Sequence, residues 1–184
     1  MCLFLWLGCA MLQGCAVLPA NTGRTPSQAL APDPTSPLVR WATELRQAAR
    51  TPHDTGFVLL DTPESAYASR LALVQHATRT LDLQYYVIEA DASTEALLGA
   101  LRAAAQRGVR VRILLDDFHS KGRAAQVLQL AFVPHIEMRL FNPLPGGRGL
   151  GAMRSLLTLR DFSRLQRRMH NKLFLKRGAI FEPQ

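Results

Sequence analysis

Strand and helix patterns alternate through the middle of the chain, and this order constrains the fold more than any other feature. Residues 81–88 alternate as a strand does, residues 94–106 have helical spacing, and residues 109–115 form a second strand. Gly108 stands where the helix stops. Because strands joined through a helix pair in parallel, this order predicts an α/β sandwich with a mixed or parallel sheet.

The same patterns add elements on both sides of this unit. Thr62, Pro63 and Glu64 combine a capping hydroxyl, a proline and an acid, which mark the start of a helix running to about residue 80. Further predicted elements are an amphipathic helix at 38–50, a short strand at 57–60, a helix at 123–132 and a strand at 136–141. At 184 residues, with 48% hydrophobic and 20% charged residues, one globular domain is the expectation.

Positive charge is concentrated late in the chain. The net charge is +8, and from Arg139 onward ten Lys/Arg face only Asp161 and Glu182, whereas residues 1–138 carry twelve of each sign. Clustered Lys/Arg attract phosphate, so phospholipid headgroups and nucleic acid are the candidate partners. Charge that merely keeps an exposed face soluble is the alternative.

The stretch 168–175 combines apolar strand residues with two groups suited to phosphate chemistry. In a strand, His170, Lys172 and Phe174 would project to one face, and the intervening residues would line the core. A neutral imidazole can attack phosphorus near neutral pH, while an ammonium holds phosphate oxygens. A histidine that merely lies near a lysine on an edge strand is the alternative, since short pairs arise by chance.

The residues around this pair resemble the phospholipase D superfamily, whose signature is HxKxxxxD. His170, Asn171 and Lys172 match its first three positions. Similar sequence continues upstream at 81–86 and 107–117, and these blocks in order are most similar to bacterial cardiolipin synthase C-like proteins.

The resemblance implies a reaction through a covalent phosphohistidine, with no metal and no organic cofactor. His170 would be the nucleophile or the general acid, Lys172 would stabilise charge on the phosphoryl oxygens, and Asn171 would be supportive. Members use two such motifs, so a second domain or chain would supply the other histidine. The implied substrate is an anionic phospholipid, phosphatidylglycerol or cardiolipin.

The sequence departs from the family pattern after Leu175. Arg177 stands where the signature has aspartate, and the Gly/Ser-rich segment that normally follows is missing. We therefore expect a fold that is incomplete at its carboxyl end, as in a fragment of a phosphatidyltransferase. An inactive truncated lipoprotein remnant and a phospholipase D-type nuclease remain the alternatives.

The amino-terminal residues predict an envelope anchor. Residues 1–17 are apolar and uncharged, as in a secretion signal, and contain a lipobox-like sequence ending in Cys15, the expected site of lipid attachment. Residues 18–37 are rich in Pro, Ala, Ser and Thr and predict a flexible linker. Residues 38–184 would then form the domain, on a lipoprotein anchored in the bacterial envelope and facing the periplasm.

Asp116 and Asp117 lie at the predicted carboxyl end of a strand, where α/β sheets place ligand crevices. Adjacent carboxylates invite a metal site, but neighbours on a strand point in opposite directions and no spaced His/Asp/Glu set completes one. We therefore predict a structural, loop-ordering role for this pair.

Overall fold

The computed structural model describes most of the predicted domain. The described residues are 22–23, 25–31, 33–51, 56–89, 91–117, 125–143, 166–170, 172–176 and 179–181. Cys15, Asn171 and Arg177 lie outside them, as do residues 1–17, which are predicted to be a signal sequence. The boundaries of the linker at 18–37 and of the domain at 38–184 stay predictions.

Helices and strands follow one another in the predicted order. The helices are α1 (Pro37–Ala48), α2 (Pro63–Gln75), α3 (Ala92–Gln106) and α4 (Ala125–Leu128), the last continued by a 3₁₀ turn at Gln129–Phe132. The strands are β1 (Thr80–Tyr85), β2 (Arg110–Asp116), β3 (Ile136–Phe141), β4 (Leu173–Lys176) and β5 (Ala179–Phe181).

The strands form one mixed sheet in the order β3-β2-β1-β4-β5. Strand β1 pairs in parallel with β2, and β2 in parallel with β3. Strand β4 runs antiparallel to β1, and β5 antiparallel to β4. The predicted α/β fold with a mixed sheet is confirmed.

Local chemistry explains where the two long helices begin and end. Thr62 caps α2 in a reciprocal capping box with Ser65, and Asp91 caps α3 by accepting a 2.7 Å hydrogen bond from the Thr94 backbone N–H. Gly108 has a φ of +88°, a conformation that costs glycine nothing and lets the chain turn from α3 into β2. The predicted start of α2 and stop of α3 are confirmed.

The hydrophobic core lies on one face of the sheet, beneath α2, α3 and the α4 turn. Strand residues Leu81, Leu83, Val111 and Ile113 share that face because side chains alternate along each strand and the register aligns them. The helices contribute Val74, Leu98, Leu101, Ala104, Ala105, Val127 and Leu130. Burying this apolar set is what fixes the sheet against its helices.

The opposite face of the sheet is polar and is crossed by residues 25–31 and 33, here called the strap. Arg112 on β2 makes a two-pronged ion pair with its cross-strand neighbour Asp82 on β1. Arg112 also donates to the Ser27 hydroxyl at 3.1 Å, and Arg110 donates to the Gln28 carbonyl at 2.8 Å. Four further strap contacts join Thr25 to Arg139, Ala31 to Arg79, Asp33 to Thr78 and Asp33 to Thr35.

Two sequence-based predictions of local structure are wrong. Residues 57–60 form no strand, and Phe57 is 90% exposed, because a short apolar run becomes a strand only where it pairs with a sheet, and this segment pairs with none of the described strands. The predicted helix from Thr62 to about residue 80 stops at Gln75, since β1 already begins at Thr80. Within the described ranges, no helix combines the length and apolarity needed to cross a bilayer.

Candidate active site at the carboxyl end of the parallel strands

His170 and Lys172 lie just before β4, at the end of the sheet where the parallel strands finish. Antiparallel pairing of Leu173 with Gln84 brings the start of β4 beside the end of β1. Both side chains are exposed, so a ligand can reach them. Parallel strands converge on the same edge with their carboxyl ends, which is where α/β sheets bind ligands.

A buried carboxylate fixes the chain immediately before His170. Asp116, the last residue of β2, has no solvent exposure and accepts hydrogen bonds from Arg168 Nη1 and the Met169 backbone N–H, both at 3.1 Å. The Arg168 side chain is itself only 7% exposed. The two oxygens of one carboxylate thus hold two successive residues, and the predicted loop-ordering role of Asp116 is confirmed.

A second anchor acts one residue further upstream. The Asn142 side-chain amide donates a 2.7 Å hydrogen bond to the Arg167 carbonyl. Asn142 follows β3 with a φ of +46°, a left-handed conformation that asparagine tolerates better than most residues. Strands β2 and β3 therefore both hold the segment that leads into His170.

The imidazole of His170 packs against an aromatic ring. Tyr86, directly after β1, meets it edge to face, with ring centroids 4.5 Å apart and planes at 87°. This is a favourable aromatic geometry, and it restricts how the imidazole can rotate. A histidine held in one orientation loses less entropy when it engages a reacting atom.

Lys172 borders a cavity of about 310 Å³ between the end of β1 and the helices α2 and α3. Tyr85 lies on the wall of the same cavity, whereas its neighbour Tyr86 contacts His170. The imidazole and the ammonium therefore lie at one end of the sheet: His170 contacts Tyr86, and Lys172 borders the cavity that Tyr85 also lines.

The predicted assignment of faces around His170 is wrong. Phe174 is completely buried and belongs to the hydrophobic core, whereas His170 and Lys172 are exposed. The reason is that the strand begins only at Leu173, so the alternation of β4 does not extend back through the two functional residues.

A family model described as "Cardiolipin synthase, PLD-like domain" matches residues 71–181, more than half of the chain. The chain belongs to the phospholipase D superfamily. Cardiolipin synthase C of Escherichia coli (strain K12) is 44% identical over 129 residues, which cover 70% of this chain and 26% of that protein.

Other relatives of this phospholipase D-like chain are more distant. An uncharacterized protein of Helicobacter pylori (strain ATCC 700392 / 26695) is 35% identical over 125 residues, 67% of this chain and 24% of that one. The chain thus spans about a quarter of the length of these curated relatives. Among solved structures, NucT from Helicobacter pylori is 19% identical with a TM-score of 0.39, and the match covers 46% of this chain and 52% of NucT.

The candidate site thus contains two of the residues that the sequence singled out, His170 and Lys172. Its supports, Tyr86, Asn142 and Arg168, were not predicted as site residues. The sequence did contain a signal for Tyr86, because Tyr85 and Tyr86 stand together where β1 ends, and residues at that point lie beside the loop that follows the strand. Among the described residues, no group of three or more His, Cys, Asp or Glu side chains is placed to hold a metal ion.

Proposed function

We propose that this domain provides the histidine and lysine of a phosphodiester-cleaving site that transfers phosphatidyl groups of anionic phospholipids. The observation that carries the proposal is the exposed His170 on a segment anchored by the buried Asp116. The similarity to cardiolipin synthase C supports a phospholipid such as phosphatidylglycerol or cardiolipin as the substrate.

In the proposed reaction, an imidazole nitrogen attacks phosphorus, a P–N bond forms, and the P–O bond to the leaving alcohol breaks. A second histidine, from another domain or chain, gives its proton to that alcohol. Water or a lipid alcohol then attacks the phosphohistidine, returns its proton to the second histidine and releases the first. His170 takes either histidine role, and Lys172 stabilises the charge on the phosphoryl oxygens.

The proposed setting is the bacterial envelope. A lipid on Cys15 would hold the domain at the membrane surface that contains its substrate, and the excess of Lys/Arg from Arg139 onward would favour anionic headgroups. Arg177, in place of the aspartate of the signature, favours the alternative of an inactive remnant. Turnover decides between these two proposals.

The test is release of headgroup alcohol from phosphatidylglycerol vesicles by the chain and by His170→Ala. We expect the substitution to lower turnover by a factor on the order of 10³, because it removes a group that exchanges bonds or protons with the substrate. His76→Ala is the matched control, since His76 is an exposed histidine at the carboxyl end of α2, away from the site. Background rates for all three proteins would contradict turnover by this polypeptide and favour the inactive remnant.

A further inference from the structure

Helix α1 is joined to the domain without sharing its core. None of its twelve residues is buried, although the structure describes every one of them. The longer helix α3, in contrast, places Leu98, Leu101, Ala104 and Ala105 in the core. Helices in proteins obtain most of their stability by packing an apolar face against another surface. An apolar face on α1 therefore indicates a surface that this helix is made to contact.

The large apolar residues of α1 form one stripe. Leu38, Trp41 and Leu45 follow one another at spacings of three and four residues, which places them on one face of the helix. Trp41 is 53% exposed and Leu45 is 49% exposed, whereas Leu38 at the beginning of the helix is half-buried. Residues four apart are neighbours on a helix surface, so Trp41 and Leu45 form an apolar pair that faces solvent.

The stripe is separate from the candidate site. The Ser36 backbone N–H donates a 3.1 Å hydrogen bond to the Asp33 carbonyl, and the Asp33 carboxylate accepts a 3.0 Å hydrogen bond from the Thr78 hydroxyl. Helix α1 therefore begins beside the residues that lead into β1, whereas His170 contacts Tyr86 beyond the other end of that strand. The described lining of the cavity beside Lys172 includes no residue of α1.

The residues around the stripe favour an anionic membrane surface. Arg40, Arg46 and Arg50 stand on or directly after α1, against the single acid Glu44. Their long side chains reach headgroups from the flanks of a helix, and the negative potential of anionic lipids attracts them. Tryptophan is enriched where headgroups meet hydrocarbon, because its indole combines an apolar body with a polar N–H. This combination is typical of helices that lie in the headgroup layer.

The size of the stripe favours a bilayer over a protein partner. A helix of twelve residues is about 18 Å long and about 10 Å wide, so one face covers on the order of 200 Å². A stable protein interface takes about 800 Å² from each partner. A bilayer needs no such area here, because the predicted lipid on Cys15 would already hold the chain at the membrane and make the contact intramolecular.

We propose that α1 lies flat in the headgroup layer of an anionic bilayer, with Trp41 and Leu45 at the hydrocarbon boundary and the arginines among the phosphates. The contact orients the domain on the membrane and is distinct from the reaction. The inference rests on the proposed function for its envelope setting, but the contact does not require His170.

The test follows the fluorescence of Trp41 in the 184-residue chain. The chain has two tryptophans, so Trp6→Phe leaves Trp41 as the only one. With phosphatidylglycerol vesicles, we expect its emission to move to shorter wavelength and its quenching by acrylamide to fall, because the indole leaves water. Added to this protein, Leu45→Gln should raise the lipid concentration for half of the shift about tenfold, since the bilayer loses one apolar side chain.

The matched control is Thr43→Gln, which places the same side chain on the opposite side of α1 and should leave that lipid concentration unchanged. Glutamine forms helices nearly as well as leucine, so Leu45→Gln keeps the helix, and circular dichroism checks this. His170→Ala should show the same Trp41 shift as the chain that retains His170. A failed reaction and a failed membrane contact are therefore distinguishable results.

Lipid composition and protein concentration distinguish the occupants of the stripe. Neutral phosphatidylcholine vesicles should require at least about fivefold more lipid for the same shift, because they lack the attraction for the arginines. Three results would each overturn the proposal: an unshifted Trp41 with saturating anionic vesicles, equal responses of Leu45→Gln and Thr43→Gln, or equal responses to both lipids. A shift that depends on protein concentration without lipid would overturn it as well, and would assign the stripe to a second copy of the chain.

Discussion

Asp116 supports the site without entering it. Its carboxylate is wholly buried and bonds to Arg168 and to the backbone of Met169, so it links the end of β2 to the segment that carries His170. An ion pair buried to this degree contributes little net stability compared with apolar groups, but removing one partner is costly. The effect of a substitution should therefore appear in both stability and activity.

We predict that Asp116→Ala lowers the free energy of unfolding by about 3 kcal/mol, because a buried guanidinium loses its charged partner. Denaturant unfolding measures this loss. Asp116→Asn is the matched control, since an amide oxygen can still accept from the Met169 N–H, and a smaller loss is expected. Equal losses for both substitutions would show that the charge, rather than the acceptor, holds the segment.

At this scale the sequence identified His170 and Lys172 through the spacing of the motif. It did not identify their faces, because the strand period was extended back to Arg168, five residues before β4 begins at Leu173. Tyr86 and Asn142 were also missed as site residues, since their contacts join segments that are far apart in the chain. Periodicity describes neighbours within an element and contains no information about such pairs.

At the scale of elements, α3 depends on its cap. The carboxylate of Asp91 accepts hydrogen bonds from the Thr94 backbone N–H and the Ser93 hydroxyl, both at 2.7 Å. These bonds favour the charged form and hold the pKa of Asp91 below its ordinary value of 3.8. Since α3 packs against α2 and β2 and borders the cavity, its first turn matters for the site as well as for the helix.

We predict that Asp91→Ala lowers the denaturation midpoint at neutral pH and that the difference from the unsubstituted chain disappears in acid. The folded pKa is depressed, so the stabilisation is complete above the unfolded pKa and is lost as the pH falls through the folded pKa. Denaturant titrations of both proteins from pH 7 down to pH 2 measure the difference. A difference that is constant with pH would contradict the electrostatic origin of the cap.

Element types were largely predictable, and their limits depended on local signals. The strand at Ile136–Phe141 was predicted to the residue, and the start of α2 followed from Thr62 and its proline. The segment 57–60 has strand-like composition but no strand, because strand formation depends on tertiary pairing and packing more than on the composition of the segment.

At the scale of the whole molecule, the strap joins residues near the beginning of the chain to the polar face of the sheet. Its partners there include Arg110 and Arg112 on β2 and Arg139 on β3. Three of its contacts use backbone carbonyls, those of Thr25, Gln28 and Ala31. A sequence rich in Pro, Ser and Ala therefore gave no sign of this arrangement, since any residue type supplies a carbonyl.

We predict that deleting residues 22–31 lowers the free energy of unfolding by about 2 kcal/mol, through the loss of four partly exposed hydrogen bonds to arginines. The melting temperature should fall by about 5 °C for a domain of this size. Thr25→Ala with Gln28→Ala is the control and should melt with the unsubstituted chain, because both carbonyls remain. A fall of equal size in that control would assign the effect to the side chains.

The antiparallel pairing of β4 with β1 has a kinetic consequence. Gln84 and Leu173 pair across about 90 intervening residues. Closing a loop of that length lowers the conformational entropy of the chain before the pairing contributes any stabilisation. The parallel unit β1–α3–β2 contains mostly local contacts and can form first. His170 and Lys172 then reach their positions only in a late folding step, together with Phe174, so a nascent chain completes its core and its candidate site at the same time.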